Sequence, residues 1–309
     1  MGTFRFLLAL SVIAAHGGAA MPGFNLPNAE IAVQAFFIIS GFYMALILTE
    51  KYTGPSGTSS FLTNRFLRIY PPYLVVLFFS VLYIFLLHKN PVPPVYFRYC
   101  PEDLNFTSKL FLVASNIFIF GQDVALFFGS DAEGNISYQP GKSFHSCHLI
   151  IQGWSLAIEL VFYLIAPFLV RQKNHVLLKI LSASILLRVG IYYSIIDFPS
   201  HDIWSRRFVP TELAFFLIGI LSFRLYQVLR VSPSKLYKVP SNFFLIMLLS
   251  ATLIYPLLHN DRPAEFESLF QVTSNPILAK YLYFAFMFFG LPSLFDITNE
   301  MEVECTTAD

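Results

Sequence analysis

Charge is the scarcest feature of this sequence. Asp, Glu, Lys and Arg together make up 13% of its 309 residues, about half the share usual in a soluble domain. Neither sign dominates. Twenty basic and 19 acidic side chains leave a net charge of +1, and the basic ones form no block. That excludes nucleic-acid binding through a phosphate-neutralising patch. Cysteine is scarce as well. Cys100, Cys147 and Cys305 are too few for a disulfide scaffold, and their spacing matches no zinc motif. Repeats and low-complexity tracts are absent, and so little charge beside 56% hydrophobic residues excludes a disordered or collagen-like chain.

What the chain has in excess is apolar. Hydrophobic residues reach 56%, Phe alone occurs 35 times, and the mean hydropathy is +0.62. These residues cannot cover a soluble globule with polar surface, so the composition leaves a polytopic membrane protein. Segments able to cross about 30 Å of hydrocarbon need roughly 20 apolar residues each. Candidates are 4–20, 31–49, 70–87, 149–170, 177–195, 208–229, 241–258 and 279–295. A ninth apolar stretch, 110–128, is broken by Asn116, Gly121, Gln122 and Asp123. The apolar runs are continuous, not alternating, so helices fit and a β-barrel does not. The expected fold is an all-α transmembrane bundle of about eight to nine helices, one domain over 1–309. The first segment also has the build of a signal peptide: Arg5, an apolar run over 6–15 and small residues over 17–20. His16 sits awkwardly in that reading.

Basic residues in short loops set the orientation. Loop 50–69 carries Lys51, Arg65 and Arg68; loop 171–179 carries Arg171, Lys173 and Lys179; stretch 224–240 carries Arg224, Arg230, Lys235 and Lys238. All three are expected on the cytoplasmic side, with the amino terminus inside and 88–148 outside. The even number of crossings between the first two loops implies that 110–128 does not cross fully; it is re-entrant or lies at the outer interface. Cys100 and Cys147 then face an oxidising compartment in a bacterium. They are either a disulfide or two free thiols, since sequence fixes no distance between them.

Polar groups within apolar spans are costly and are functional candidates. Arg5 and His16 are eleven residues apart, about three helical turns and about 16 Å of rise, so they share one face. A neutral imidazole is a good general base near pH 7; the plainer role is a hydrogen bond to a neighbouring helix. Ser40-Gly41, inside Phe36-Phe37-Ile38-Ile39-Ser40-Gly41-Phe42, lets another backbone approach closely. Arg65 and Arg68, in Arg65-Phe66-Leu67-Arg68-Ile69-Tyr70-Pro71-Pro72-Tyr73, share a face if helical. Two guanidinium forks could grip phosphates there, or simply anchor the chain at the membrane surface. Pro71 and Pro72 suit a helix start. In Trp154-Ser155-Leu156-Ala157-Ile158-Glu159-Leu160-Val161-Phe162-Tyr163, Trp154 suits an interface and Glu159 is a carboxylate well inside a span. Arg188 and Glu212 are further intramembrane charges, and a mutual ion pair would account for both. His145-Ser146-Cys147-His148 lacks the ligand count and spacing of a structural zinc site, so no metal is expected. Asn105-Phe106-Thr107 and Asn135-Ile136-Ser137 fit the weak glycosylation pattern.

Four features stand together in order: Arg5 and His16; Phe37-Ile38-Ile39-Ser40-Gly41-Phe42; Arg65-x-x-Arg68-Ile69-Tyr70-Pro71; and Trp154-Ser155-Leu156-x-x-Glu159-x-x-Phe162-Tyr163. The ordered set resembles the acyltransferase 3 family, integral-membrane O-acyltransferases that modify surface glycans. The motifs cover residues 1 to about 170, and 171–295 match only in hydropathy pattern. The resemblance implies transfer of an acyl group, usually acetyl, from cytoplasmic acyl-CoA to a carbohydrate hydroxyl at or beyond the outer face. It implies no bound cofactor and no partner beyond acyl-CoA, the carbohydrate acceptor and membrane lipids. Localisation would be the bacterial inner membrane. By position, His16 is the implied catalytic base or transient acyl carrier, with Glu159 as a site carboxylate. Arg5, Arg65 and Arg68 are the implied holders of the coenzyme A phosphates, and Ser40, Gly41 and Trp154 pack the site. The rise from Arg5 to His16 is similar to an extended pantetheine arm. The polar tail 296–309 departs from the family's expected continuation, so the carboxyl end is expected to be incomplete. The rival readings are a glycan or lipid-linked-sugar exporter using Arg188, Glu159 and Glu212, and an inactive remnant.

Overall fold

The computed structural model describes residues 2–17, 29–87, 100–101, 103–139, 143–193, 201–231, 246 and 283–295. They form two compact units: residues 1–46 with 215–309, and residues 47–214. In chain order the helices are α1 (Gly2–Gly17), α2 (Ala29–Glu50), α3 (Gly57–Leu87), α4 (Phe106–Phe118), α5 (Gly153–Leu169), α6 (Asn174–Tyr192), α7 (His201–Arg206) and α8 (Val209–Val231). A ninth, α9 (Tyr283–Phe295), follows. The strands β1 (Phe128–Ser130) and β2 (Ile136–Tyr138) form one antiparallel hairpin. The fold is all-α, and long apolar helices make it an integral membrane protein. Among the described residues, four helices are long and apolar enough to cross a bilayer, within α2, α3, α6 and α8. The expected span 241–258, but for residue 246, lies outside the described residues, as do 18–20 of the first span and 279–282 of the last.

Unit one is α1, most of α2, most of α8, and α9. Its helices pack through small residues and aromatic rings. A Cβ on Gly41 would collide with the carbonyl oxygen of Phe216, and one on Gly219 with the carbonyl of Ile38. Helices α2 and α8 therefore cross backbone against backbone, the geometry that small residues permit in lipid. Around this crossing Phe37 stacks on Phe216 at 4.7 Å, and Phe42 meets Phe223, Tyr226 and Phe295 at 5.6, 6.1 and 5.5 Å.

Unit two is built on α3 and α5. Along α3 the apolar side chains of Leu74, Val75, Val76, Phe78, Phe79, Val81, Phe85 and Leu86 are all exposed. A helix apolar on every side and uncovered by protein is one that faces lipid. The expected helix start at Pro71 and Pro72 is corrected: α3 begins at Gly57 and carries both prolines in its interior. Each proline removes one ladder bond. An apolar chain in lipid still has no cheaper way to satisfy its remaining backbone than to continue the helix. The tyrosines beside the break are tied down from outside. Tyr70 donates its hydroxyl to the Phe118 carbonyl, and Tyr73 donates to that of Asn116 at 2.6 Å.

The stretch 110–128 is not one helix. Helix α4 is 13 residues long and stops at Phe118; Ile119 follows with φ 66°, then a 3-10 turn and the hairpin. Its start is fixed by Asn105, whose side chain accepts from the Ser108 N–H at 2.8 Å. The cysteine question left open by the sequence is decided here. Cys100 and Cys147 form a disulfide with a Cα–Cα distance of 5.1 Å. It lies in a small core of Leu112, Ala125 and Phe144, with Leu104, Phe111 and Phe128 packed around it.

Candidate functional site

In unit two, α3 places Arg65 one helical turn beyond Phe61, and α5 places Tyr163 one turn beyond Glu159. The two pairs meet. The Arg65 guanidinium carbon lies 5.7 Å from the Phe61 ring centre and 5.9 Å from that of Tyr163. The Tyr163 hydroxyl donates to Oε1 of Glu159. Arg65 is half-buried, and its Nε is shut away from solvent with no hydrogen-bond partner. Arg68, Tyr163 and Glu159 all lie within electrostatic reach of it, yet Arg65 forms no salt bridge among the described residues. Arg68, one turn further on α3, is exposed.

Trp154 stands in the first turn of α5 and lies under a cation that the sequence reading missed. Arg207, just after α7, sits 5.0 Å from the Trp154 ring centre. Nothing local marks Arg207; it arrives through the fold. Burial, the Arg207 charge and neighbouring His148 together hold the His145 imidazole down to about 3. Burial holds His148 down to about 4. Both are neutral rings near pH 7. His148 Nε2 is 2.9 Å from the Ser115 hydroxyl, and its Nδ1 is buried without a partner. Burial raises the Asp123 carboxyl above its ordinary value. Among the described residues no three His, Cys, Asp or Glu side chains converge as a metal site, and Cys147 is used by the disulfide.

The start of α5 is set by a close approach. A Cβ on Gly153 would meet the Gln122 side-chain amide. That amide donates to the Tyr73 hydroxyl at 2.8 Å and the Ser115 carbonyl at 3.0 Å. Gln122 thus joins α3, α4 and the first residue of α5, which carries Trp154, Glu159 and Tyr163.

In unit one, Arg5 on α1 lies over two rings of α2, Phe36 at 5.8 Å and Tyr43 at 5.9 Å. His16 falls in the last turn of α1; its side chain is outside the described residues. Ser40 is buried, and Gly41 sits at the α2–α8 crossing. In unit two, Arg188 and Glu212, the charges that suited a translocation path, close on each other at 3.0 Å.

The sequence profile of the acyltransferase 3 family, described as an acyltransferase domain, matches residues 2–300. The chain belongs to the acyltransferase 3 family. No curated protein and no solved structure matches it. As a member of the acyltransferase 3 family it is an enzyme, a membrane acyltransferase. Phe61 was within reach of the sequence, four residues before Arg65 on one helix face. Tyr163 was visible as the i+4 neighbour of Glu159, but its meeting with Arg65 is tertiary.

Proposed function

We propose that this acyltransferase moves an acyl group, acetyl in the simplest case, from acyl-CoA on the cytoplasmic side to a hydroxyl of a surface carbohydrate. Arg65, Arg68 and Arg5 hold the donor's phosphates. His16 takes the proton of the acceptor hydroxyl. The freed oxygen attacks the thioester carbonyl, the C–S bond breaks, and coenzyme A leaves as a thiol with the proton. In the variant with a transient acyl carrier, His16 attacks first and passes the acyl group on. Glu159 serves as the site carboxylate. The membrane is the inner membrane of a bacterium, with the amino terminus inside.

The observation that supports this reading is the state of Arg65. Its charge is held by two aromatic rings, and its buried Nε has no partner. A half-buried guanidinium with an unmet N–H donor gains from an anion that shares it, and a phosphate matches its fork.

The test uses membranes carrying the native chain or His16→Ala at matched levels, supplied with acetyl-CoA labelled in the acetyl group. Label in alkali-labile, ester-linked glycan is expected with the native chain and not with the variant. Equal labelling by both would sink the role of His16. Glycan crossing the membrane without any acyl-CoA would favour an exporter.

A further inference from the structure

We infer that the carbohydrate acceptor docks on the rings of Trp154, Trp204 and Phe208, beside Arg207. That the ligand is an acyl acceptor rests on the function proposed above; the ring cluster lies wholly within unit two.

Three segments far apart in sequence build the cluster, and the only two tryptophans of the chain both fall in it. Arg207 lies 5.0 Å from the ring centre of Trp154, in the first turn of α5. Trp204 stands three residues before Arg207. The Arg207 N–H bonds back to the Ile203 carbonyl at 3.0 Å, so the turn of α7 runs on through Arg207 and the two side chains share a face. The Trp204 ring meets Phe208 at 5.1 Å and Phe127 at 4.5 Å. Phe127, just before β1, is buried behind it. The Trp204 indole N–H donates to the Tyr138 hydroxyl of β2 at 3.3 Å. The hairpin thus backs and orients the indole. Trp154, Trp204 and Phe208 each keep part of their surface exposed.

The mixture of groups selects the occupant. The lipid-facing surface of this chain is different: α3 exposes Val75, Val76, Phe78, Phe79 and Phe85, with no charged residue anywhere between Arg68 and Leu87. A small anion would call for cations and not for three rings. A pyranose has an apolar face of C–H bonds and a rim of hydroxyls. The C–H face gains from lying on an aromatic ring, and the hydroxyls need polar groups at the ring edges. Two such groups are at hand. One is the Arg207 guanidinium. The other is His145, close enough to Arg207 to feel its charge; its neutral ring has one donor and one acceptor nitrogen.

The placement also suits the proposed donor. Trp154 and Tyr163 are nine residues apart on α5, about 14 Å of rise. Tyr163 is the ring that holds Arg65. A donor with its phosphates at Arg65 and its arm along α5 ends level with Trp154. That end of α5 is the one joined to 88–148, the stretch expected outside, from which the acceptor arrives.

The experiment uses the full chain in lipid nanodiscs. With tryptophan only at 154 and 204, the emission of the native chain reports this cluster without a label. Two probes are titrated. One is surface polysaccharide from the cells that carry the protein, freed of ester groups by mild alkali. The other is glycerol 3-phosphate, standing for a lipid headgroup. The polysaccharide is expected to change the emission saturably and glycerol 3-phosphate to leave it unchanged. No response to polysaccharide would overturn the inference, as would an equal response to both probes. Kinetics in the labelled-acetyl assay give a second readout. Trp204→Leu is expected to raise the acceptor KM about tenfold, the worth of one stacked ring, with the donor KM near native. Trp204→Phe keeps a ring and is expected to recover most of that loss. Phe79→Leu, on the lipid face of α3, is expected to change neither constant. An acceptor KM that ignores Trp204→Leu, or a donor KM that rises equally, would overturn the inference. The emission change needs no variant, so it stands even if Trp204→Leu fails to fold. Polysaccharide that changes the emission without any acetyl transfer would keep the docking cluster and remove the reaction. Acetyl transfer with an unmoved acceptor KM would keep the reaction and remove the cluster.

Discussion

Arg188 and Arg65 are arginines on two helices of the same unit, and they are satisfied in opposite ways. Arg188 closes on Glu212, which is wholly buried, at 3.0 Å. Arg65 lies between the rings of Phe61 and Tyr163, with a carboxylate nearby that is bonded to a tyrosine instead. In the first arrangement charge meets charge directly. The second holds a cation in place while leaving its hydrogen-bonding edge unused. Intramembrane charge alone therefore does not identify a working site; the partner does.

The largest expected effect breaks the closed pair. Arg188→Met takes the cation away from the buried Glu212 carboxylate, with an expected cost of about 3–5 kcal/mol. A thermal melt in nanodiscs should show it as a sharp fall in Tm or loss of folded protein. An unchanged melt would mean the pair is not the stabilising one of the two sites.

Acid provides the next contrast, because His145 and His148 are kept neutral by burial and not paired as ions. Their folded values, about 3 and about 4, lie below the ordinary value of about 6.5. The unfolded chain then binds more protons below pH 6.5, so stability rises with pH across this window. Tm is expected to fall steadily as pH drops from about 6.5 toward 4 and to be flat on this account above about 7. A melt independent of pH over that range would mean the rings are hydrated or charged.

Arg65→Lys sharpens the open site. Ammonium keeps the charge but loses the planar fork. The donor KM is expected to rise about tenfold, with Tm within a degree or two of native. A fall in Tm without a change in KM would assign Arg65 to packing. Arg68→Ala should do least. Its side chain is exposed and screened, so a rise in donor KM of a few-fold, lessening with added salt, is the expected result. No change at any salt would leave Arg68 as a surface anchor.

Much of this was legible in the order of residues. Continuous apolar runs gave the helices. The interruption by Asn116, Gly121 and Gln122 marked the place where α4 ends and the chain turns. Motif order from Arg5 to Tyr163 gave the family. The Arg188–Glu212 pair could be suspected because two intramembrane charges of opposite sign need each other. Where local rules failed, the membrane overrode them. Pro71 and Pro72 read as a helix start, yet α3 runs through both because a broken helix in lipid would strand more backbone groups than two prolines do. Cysteine pairing stayed open because the 47 residues between Cys100 and Cys147 set no distance between them.

By itself, then, the sequence determined the solvent, the helical class and the family. These depend on composition and on the 3.6-residue period, which are written along the chain. Only the tertiary structure decided that Arg65 meets Tyr163, that Arg207 lies over Trp154, and that Glu159 is bonded to Tyr163 and not to Arg65. Such contacts depend on how helices far apart in sequence are packed and rotated, which small residues such as Gly41, Gly153 and Gly219 set by letting backbone or side chain come close.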